Sequence, residues 1–116
     1  MKKVALFATI IFALSITIAN AFTSPGKPQG FVNDYASILS KENKDQIESK
    51  LNDLNNKTTI QVAVVTINSL GNETIETYAV KLFKEWGIGN SEKDNGVLFL
   101  IAPNERKVRI EVGYGL

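Results

Sequence analysis

The chain has 116 residues, with 13 Lys and Arg against 12 Asp and Glu, a formal net charge of +1. That near balance excludes the basic footprint that nucleic acid or an anionic membrane surface selects. Cysteine and histidine are both absent, which excludes disulfide staples, Cys/His zinc sites, Ser-His-Asp triads and Cys-His dyads; any catalysis would rest on carboxylates, hydroxyls, Lys, Arg or a metal held by oxygen.

Met1-Lys2-Lys3 is a short basic start. Val4 to Ala19 is apolar apart from Thr9, Ser15 and Thr17, and Ala19-Asn20-Ala21 puts small residues at the two positions a signal peptidase reads. This is the layout of a secretory signal peptide. The apolar run is shorter than the roughly 20 residues that span a bilayer. A cleaved leader over 1–21 is therefore expected rather than a retained anchor, and with it an extracytoplasmic location, periplasmic or secreted. The remaining length suits one domain. A domain of this size buries only about 60–65% of its unfolded surface, so modest stability is expected.

Residues 22–30 carry Pro25, Gly26, Pro28 and Gly30 and read as an extended tether before a domain over 31–116. Ser40 is a good N-cap for a helix running to about Asn55, with Ile47, Leu51 and Leu54 as its apolar stripe and a solvated charged face around them. Ile60 to Ile67 is a β-branched run, apolar on both faces, as in a central covered strand. A polar loop from Ser69 to Glu73 leads into a second helix, from about Thr74 to Trp86. Ile75, Ala79, Leu82, Phe83 and Trp86 make its stripe, and Gly87 suits the left-handed stop.

Val97 to Ile101 is a fully apolar strand after the turn Asp94-Asn95-Gly96, and Val108 to Val112 is an alternating one. The helical crossover between the β-branched run and Val97 implies a parallel, right-handed βαβ unit. The last two strands lie too close in sequence for anything but an antiparallel hairpin. The fold class is therefore α/β, a mixed sheet with helices packed on it. If Ile101 lies near Val108, then Val97 lies near Val112, and Asp94-Asn95-Gly96 meets Gly113-Tyr114-Gly115 at one end of the sheet.

Phe31-Val32-Asn33-Asp34-Tyr35-Ala36 before the first helix, Glu85-Trp86-Gly87-Ile88-Gly89, Asp94-Asn95-Gly96-Val97-Leu98, Glu105-Arg106-Lys107 and Glu111-Val112-Gly113-Tyr114-Gly115-Leu116 follow in an order that resembles the TPM domain family. The resemblance covers about 31–116. It implies an α/β/α sandwich, an extracytoplasmic setting and, for some members, phosphatase activity or binding of a divalent cation, calcium especially. The family pattern continues past Leu116 with an acidic residue and further helices. The resemblance thus implies an incomplete acidic site, an uncovered apolar sheet face, and membrane anchoring only through residues after Leu116.

Calcium takes six to eight oxygens. Asp94 and Asn95 offer such oxygens from a glycine-containing turn, Asp34 is the family-matching acid, and mid-strand Glu111 is the fourth candidate ligand. The alternatives are a plain turn for Asp94-Asn95-Gly96 and a local backbone cap for Asp34. The pattern is neither an EF-hand nor a phosphate-cradling loop. The expected function is a cation-binding accessory or interaction module of the cell envelope, with an envelope or membrane protein as partner and no nucleic acid. A metal-dependent phosphatase using Asp94 and Asp34 to orient water is the alternative, with catalytic residues undefined; a fragment without function is the third reading.

Overall fold

The computed structural model describes residues 22–116. The leader expected over 1–21 lies outside the described residues. The elements are β1 (Val32–Asp34), α1 (Lys41–Thr58), β2 (Gln61–Thr66), α2 (Ile75–Trp86), β3 (Gly96–Ala102) and β4 (Lys107–Val112). They form a four-stranded sheet in the order β1-β2-β3-β4. β1, β2 and β3 run parallel, and β4 returns antiparallel to β3. This is a mixed, open α/β sheet with two helices packed on it.

β1 is the element that the sequence pattern did not disclose. Val-Asn-Asp is too short to show alternation, and only its pairing Val32↔Val64 through Asp34↔Thr66 makes it a strand. The hairpin register is as expected, with Val97↔Val112 and Ile101↔Val108 paired.

The Ser40 hydroxyl accepts the Asn43 N–H at 3.1 Å, and α1 begins at the next residue. Such a cap contributes about 1 kcal/mol. α1 runs past the expected end near Asn55 and stops at Thr58, with Thr59 left-handed at φ 64°. α2 has Thr74 as its N-cap and Gly87 as its left-handed stop.

Side chains alternate faces along a strand, and paired residues share a face. One face carries Ala63 and Val65 of β2 with Leu98, Leu100 and Ala102 of β3. These are buried against Ile75, Tyr78, Ala79 and Leu82 of α2, and Phe83, Trp86 and Ile88 pack around them. Each fully buried leucine here contributes about 1.5–3 kcal/mol. The opposite face carries Val97, Phe99 and Ile101 of β3 with Val108, Ile110 and Val112 of β4. α1 packs along β1 and β2 and reaches neither β3 nor β4. Val108, Ile110 and Val112 are accordingly about half exposed, at 56%, 50% and 48%. The uncovered apolar face expected from the resemblance is present.

The segment before β1 forms no helix or strand, yet it is no free tether. Phe22 packs edge-on against Tyr78, with ring centroids 4.8 Å apart. The Tyr78 hydroxyl donates to Thr23 O, and Trp86 Nε1 donates to Gly26 O at 2.7 Å. Asn33, only 2% exposed, accepts from Gln29 N and donates to Gly30 O. Residues 22–30 are a strap laid over α2 and tied to β1.

Candidate functional site

Asp34 ends β1, and its side chain is committed to the fold. Oδ1 accepts from Thr66 Oγ1 at 2.6 Å and from Ile38 N at 3.1 Å; Oδ2 accepts from Leu39 N at 2.9 Å. Thr66 in turn accepts the Ala36 N–H. Burial pushes the carboxyl pKa up, but the Thr66 hydroxyl, the Leu39 and Ile38 amides and the Lys44 charge outweigh it. The net result lies below the ordinary aspartate value. The local cap, offered above as the alternative to a cation ligand, is what the geometry contains.

The Asp94-Asn95-Gly96 turn sits at the other end of the sheet. Gly113 N donates to Gly96 O at 2.8 Å, and Gly115 N donates to Asp94 O at 2.9 Å. The two glycine-bearing turns therefore meet, as the hairpin register requires. A Cβ on Gly113 would run into Asp94 O, and one on Gly115 into Lys93 O. Glycine is needed at both positions for this close approach. Asp94 itself is left-handed, at φ 48°, a conformation that Asp tolerates better than most residues.

Asn95 is buried and spends its amide on the same junction. Its Oδ1 accepts the Asn90 N–H at 2.9 Å, and its Nδ2 donates to Thr59 Oγ1 at 3.0 Å. It ties the loop before β3 to the end of α1. The Asp94 carboxylate is exposed and has no hydrogen-bond or ion-pair partner among the described residues.

The four candidate ligands are not brought together. Asp34 pairs with Thr66 at one end of β2, and Gln61 pairs with Gly96 at the other. Five residue steps along β2 amount to about 17 Å. Two ligands of one calcium ion lie within about 5 Å of each other, so Asp34 and Asp94 cannot share an ion. Glu111 lies on the α2 side of the sheet and accepts from Arg109 at 3.2 Å. Among the described residues, no three Asp or Glu side chains are grouped to hold a metal. A joint site of Asp34, Asp94, Asn95 and Glu111 is thus replaced by two separate ends and a strand ion pair. Residue types and spacing carry no information on which end of a parallel strand each turn occupies.

The TPM domain model matches residues 32–116. The chain belongs to the TPM domain family. It is similar to the solved N-terminal domain of a protein from P. gingivalis, with 35% identity and a TM-score of 0.68, over 74% of this chain and 55% of that one. It also resembles the N-terminal domain of a protein from Corynebacterium glutamicum, with 22% identity and a TM-score of 0.64, over 83% of this chain and 62% of that one. The second likeness speaks for the fold alone. The chain thus spans 55% and 62% of the two solved domains it matches. No curated protein matches the chain by sequence.

This TPM domain has one further feature that residue spacing missed. A cleft of about 460 Å³ lies beyond the carboxyl ends of β1 and β2, lined among others by Tyr35, Asn68, Ser69, Asn72 and Glu73. In open α/β sheets, ligands settle outside the carboxyl ends of the parallel strands. The cleft's polar wall is the Ser69–Glu73 loop, which sequence alone marks only as a connection. The signal that could have found it was a parallel strand running into a polar loop and then a capped helix. Glu105 holds one end of that loop by accepting the Leu70 N–H at 2.8 Å, and Asn104 Nδ2 donates to Asn68 O at 2.8 Å. Glu73 is taken up by Lys81 at 2.6 Å.

Proposed function

We propose that this TPM domain is an exported accessory module of the cell envelope that holds a divalent cation at the Asp94 turn and performs no phosphoryl transfer. The observation that carries this reading is the division of labour among the four candidate oxygens. Asp34, Asn95 and Glu111 are spent on the fold, and of the four only the Asp94 carboxylate is exposed and without a partner among the described residues. One carboxylate with turn carbonyls and water makes a weak site, on the order of 10⁻⁴–10⁻³ M, the range of extracellular calcium modules. Export rests on the basic, apolar and small-residue layout of 1–21. No helix among the described residues is long and apolar enough to cross a membrane. The expected partner is an envelope or membrane protein.

The phosphatase alternative asks Asp34 and Asp94 to activate one water through one ion, and about 17 Å of sheet stands between them. Calorimetric titration of the full chain with calcium, beside Asp94→Ala and Asp34→Asn, separates the readings. Asp94→Ala should abolish binding, and Asp34→Asn should leave its stoichiometry unchanged. Equal binding by Asp94→Ala would overturn the site. Chelator-sensitive hydrolysis of a generic phosphomonoester would overturn the non-catalytic reading.

A further inference from the structure

The two edges of the sheet are finished differently. The β1 edge is capped at its start by α1: Glu48 accepts the Phe31 N–H at 2.9 Å through Oε1 and the Val32 N–H at 2.7 Å through Oε2. The β4 edge is open among the described residues. The Gly113 N–H bonds Gly96 O, which sets the phase of the antiparallel ladder. Glu111, Arg109 and Lys107 then bond toward β3, and the backbone groups of Val108, Ile110 and Val112 point outward. No turn, loop or side chain among the described residues bonds to those outward groups.

β4 is also self-complementary about Ile110. Its sequence is Lys-Val-Arg-Ile-Glu-Val. Turned about Ile110, Val108 falls opposite Val112 and Arg109 falls opposite Glu111. The apolar residues stay on the exposed face and the charged ones on the other. The neighbouring register, centred on Arg109, would set Arg109 against its own copy, and like charges directly opposite are destabilising.

We propose that β4 pairs antiparallel with β4 of a second copy about a two-fold axis at Ile110, joining two four-stranded sheets into one of eight strands. The outward backbone groups of Val108, Ile110 and Val112 are in phase for this. They form three hydrogen-bonded pairs, about six new backbone bonds. Arg109, which bonds Glu111 of its own strand at 3.2 Å, gains a second carboxylate directly across. Each Glu111 likewise gains a second guanidinium, so charge alternates across the seam. On the exposed face, Ile110 meets Ile110, and each Val108 meets Val112, as β-branched cross-strand pairs. An open edge with unpaired backbone groups is a template for strand addition, and here the side-chain pattern selects the chain's own copy. The proposal is independent of the cation reading.

The chain has no cysteine, so one introduced thiol reports one position. In the full chain, Ile110→Cys should give a disulfide-linked dimer under mild oxidation with diamide. Residues opposed in a hydrogen-bonded pair have Cα atoms about 5.5 Å apart, inside disulfide range. Arg109→Cys places its two thiols on a diagonal of about 8 Å, outside that range, and should give at least tenfold less dimer. Tyr114→Cys, at a 99% exposed residue, measures random collision and should match Arg109→Cys. Within the Ile110→Cys background, Arg109→Glu should cut the yield severalfold, and adding Glu111→Arg should restore it. Should Ile110→Cys disturb the fold, Val108→Cys and Val112→Cys chains should cross-link when mixed and not when separate. Yields that follow exposure alone, or a dimer favoured at Arg109→Cys, or no rescue by charge exchange, would overturn the proposal.

Discussion

The Thr66 hydroxyl donates to the Asp34 carboxylate at 2.6 Å, across the junction of β1 and β2. This bond joins a strand of only three residues to the centre of the sheet. It also seats the loop that feeds α1, because the same carboxylate accepts the Ile38 and Leu39 amides.

Asp34→Ala should therefore destabilise the domain by about 1–3 kcal/mol, the cost of leaving such donors unpaired. Urea unfolding by circular dichroism measures it. The folded-state pKa of Asp34 lies below the ordinary value. Its contribution is thus present above the unfolded value and is lost as pH falls through the lower folded value. The gap between wild type and Asp34→Ala should shrink as pH drops below about 4, and a gap that stays constant at acid pH would contradict this.

Tyr78 titrates in the opposite sense. Burial, then the nearby Glu85 charge and Tyr35, push its phenol up to about 12. A raised folded pKa gives stability that is full below the unfolded value near 10 and lost as pH climbs through 12. Ultraviolet titration should show one tyrosine ionising about two units late. Tyr78→Phe should remove that late transition and loosen the strap at Thr23, read as faster proteolysis within residues 22–30.

Gly113→Ala should cost about 1–3 kcal/mol, because a methyl group there meets Asp94 O and the turn must shift. Gly71→Ala is the comparison: its Cβ would meet nothing within 4 Å, and its φ of +63° is the strain to expect. Thermal melts of the two variants, beside amide exchange at Gly113 and Gly115, separate a lost turn from simple backbone strain. Protected amides at both positions in Gly113→Ala would refute the close approach.

Glu48→Gln keeps one acceptor oxygen but turns an NH2 donor toward the other backbone N–H, so one of the two bonds at 2.7 and 2.9 Å is lost along with the charge. It should cost about 1 kcal/mol, and Glu48→Ala about 2–3 kcal/mol, because the Phe31 and Val32 amides lose both acceptors. Glu48→Ala should also lose amide protection at Phe31 and Val32 before the rest of the sheet.

Elements with a local pattern were legible in the residues alone. α1, α2 and β4 each repeat an apolar spacing, β2 and β3 are unbroken apolar runs of strand length, and the polar connection after Ile101 is too short for anything but a hairpin. That local arithmetic also brought Gly113 and Gly115 to the Asp94 turn. Ser40, Thr74 and Gly87 marked helix ends because capping is a property of one residue and its nearest amides.

Features that depend on distant pairing emerged only on folding. β1 has three residues and no readable period, so its identity rests on Val64, Val65 and Thr66, about thirty positions away. The separation of Asp34 from Asp94 follows from the same fact. In a parallel sheet the loop leaving a strand and the loop entering its neighbour lie at opposite ends, and no local pattern states which strands are parallel neighbours. Tertiary packing likewise turned the proline- and glycine-rich 22–30 segment into a strap, because its partners Tyr78, Trp86 and Asn33 are visible only after folding. The same packing capped the start of one edge strand with Glu48 and, among the described residues, left the other edge, with its self-complementary Arg109 and Glu111, open.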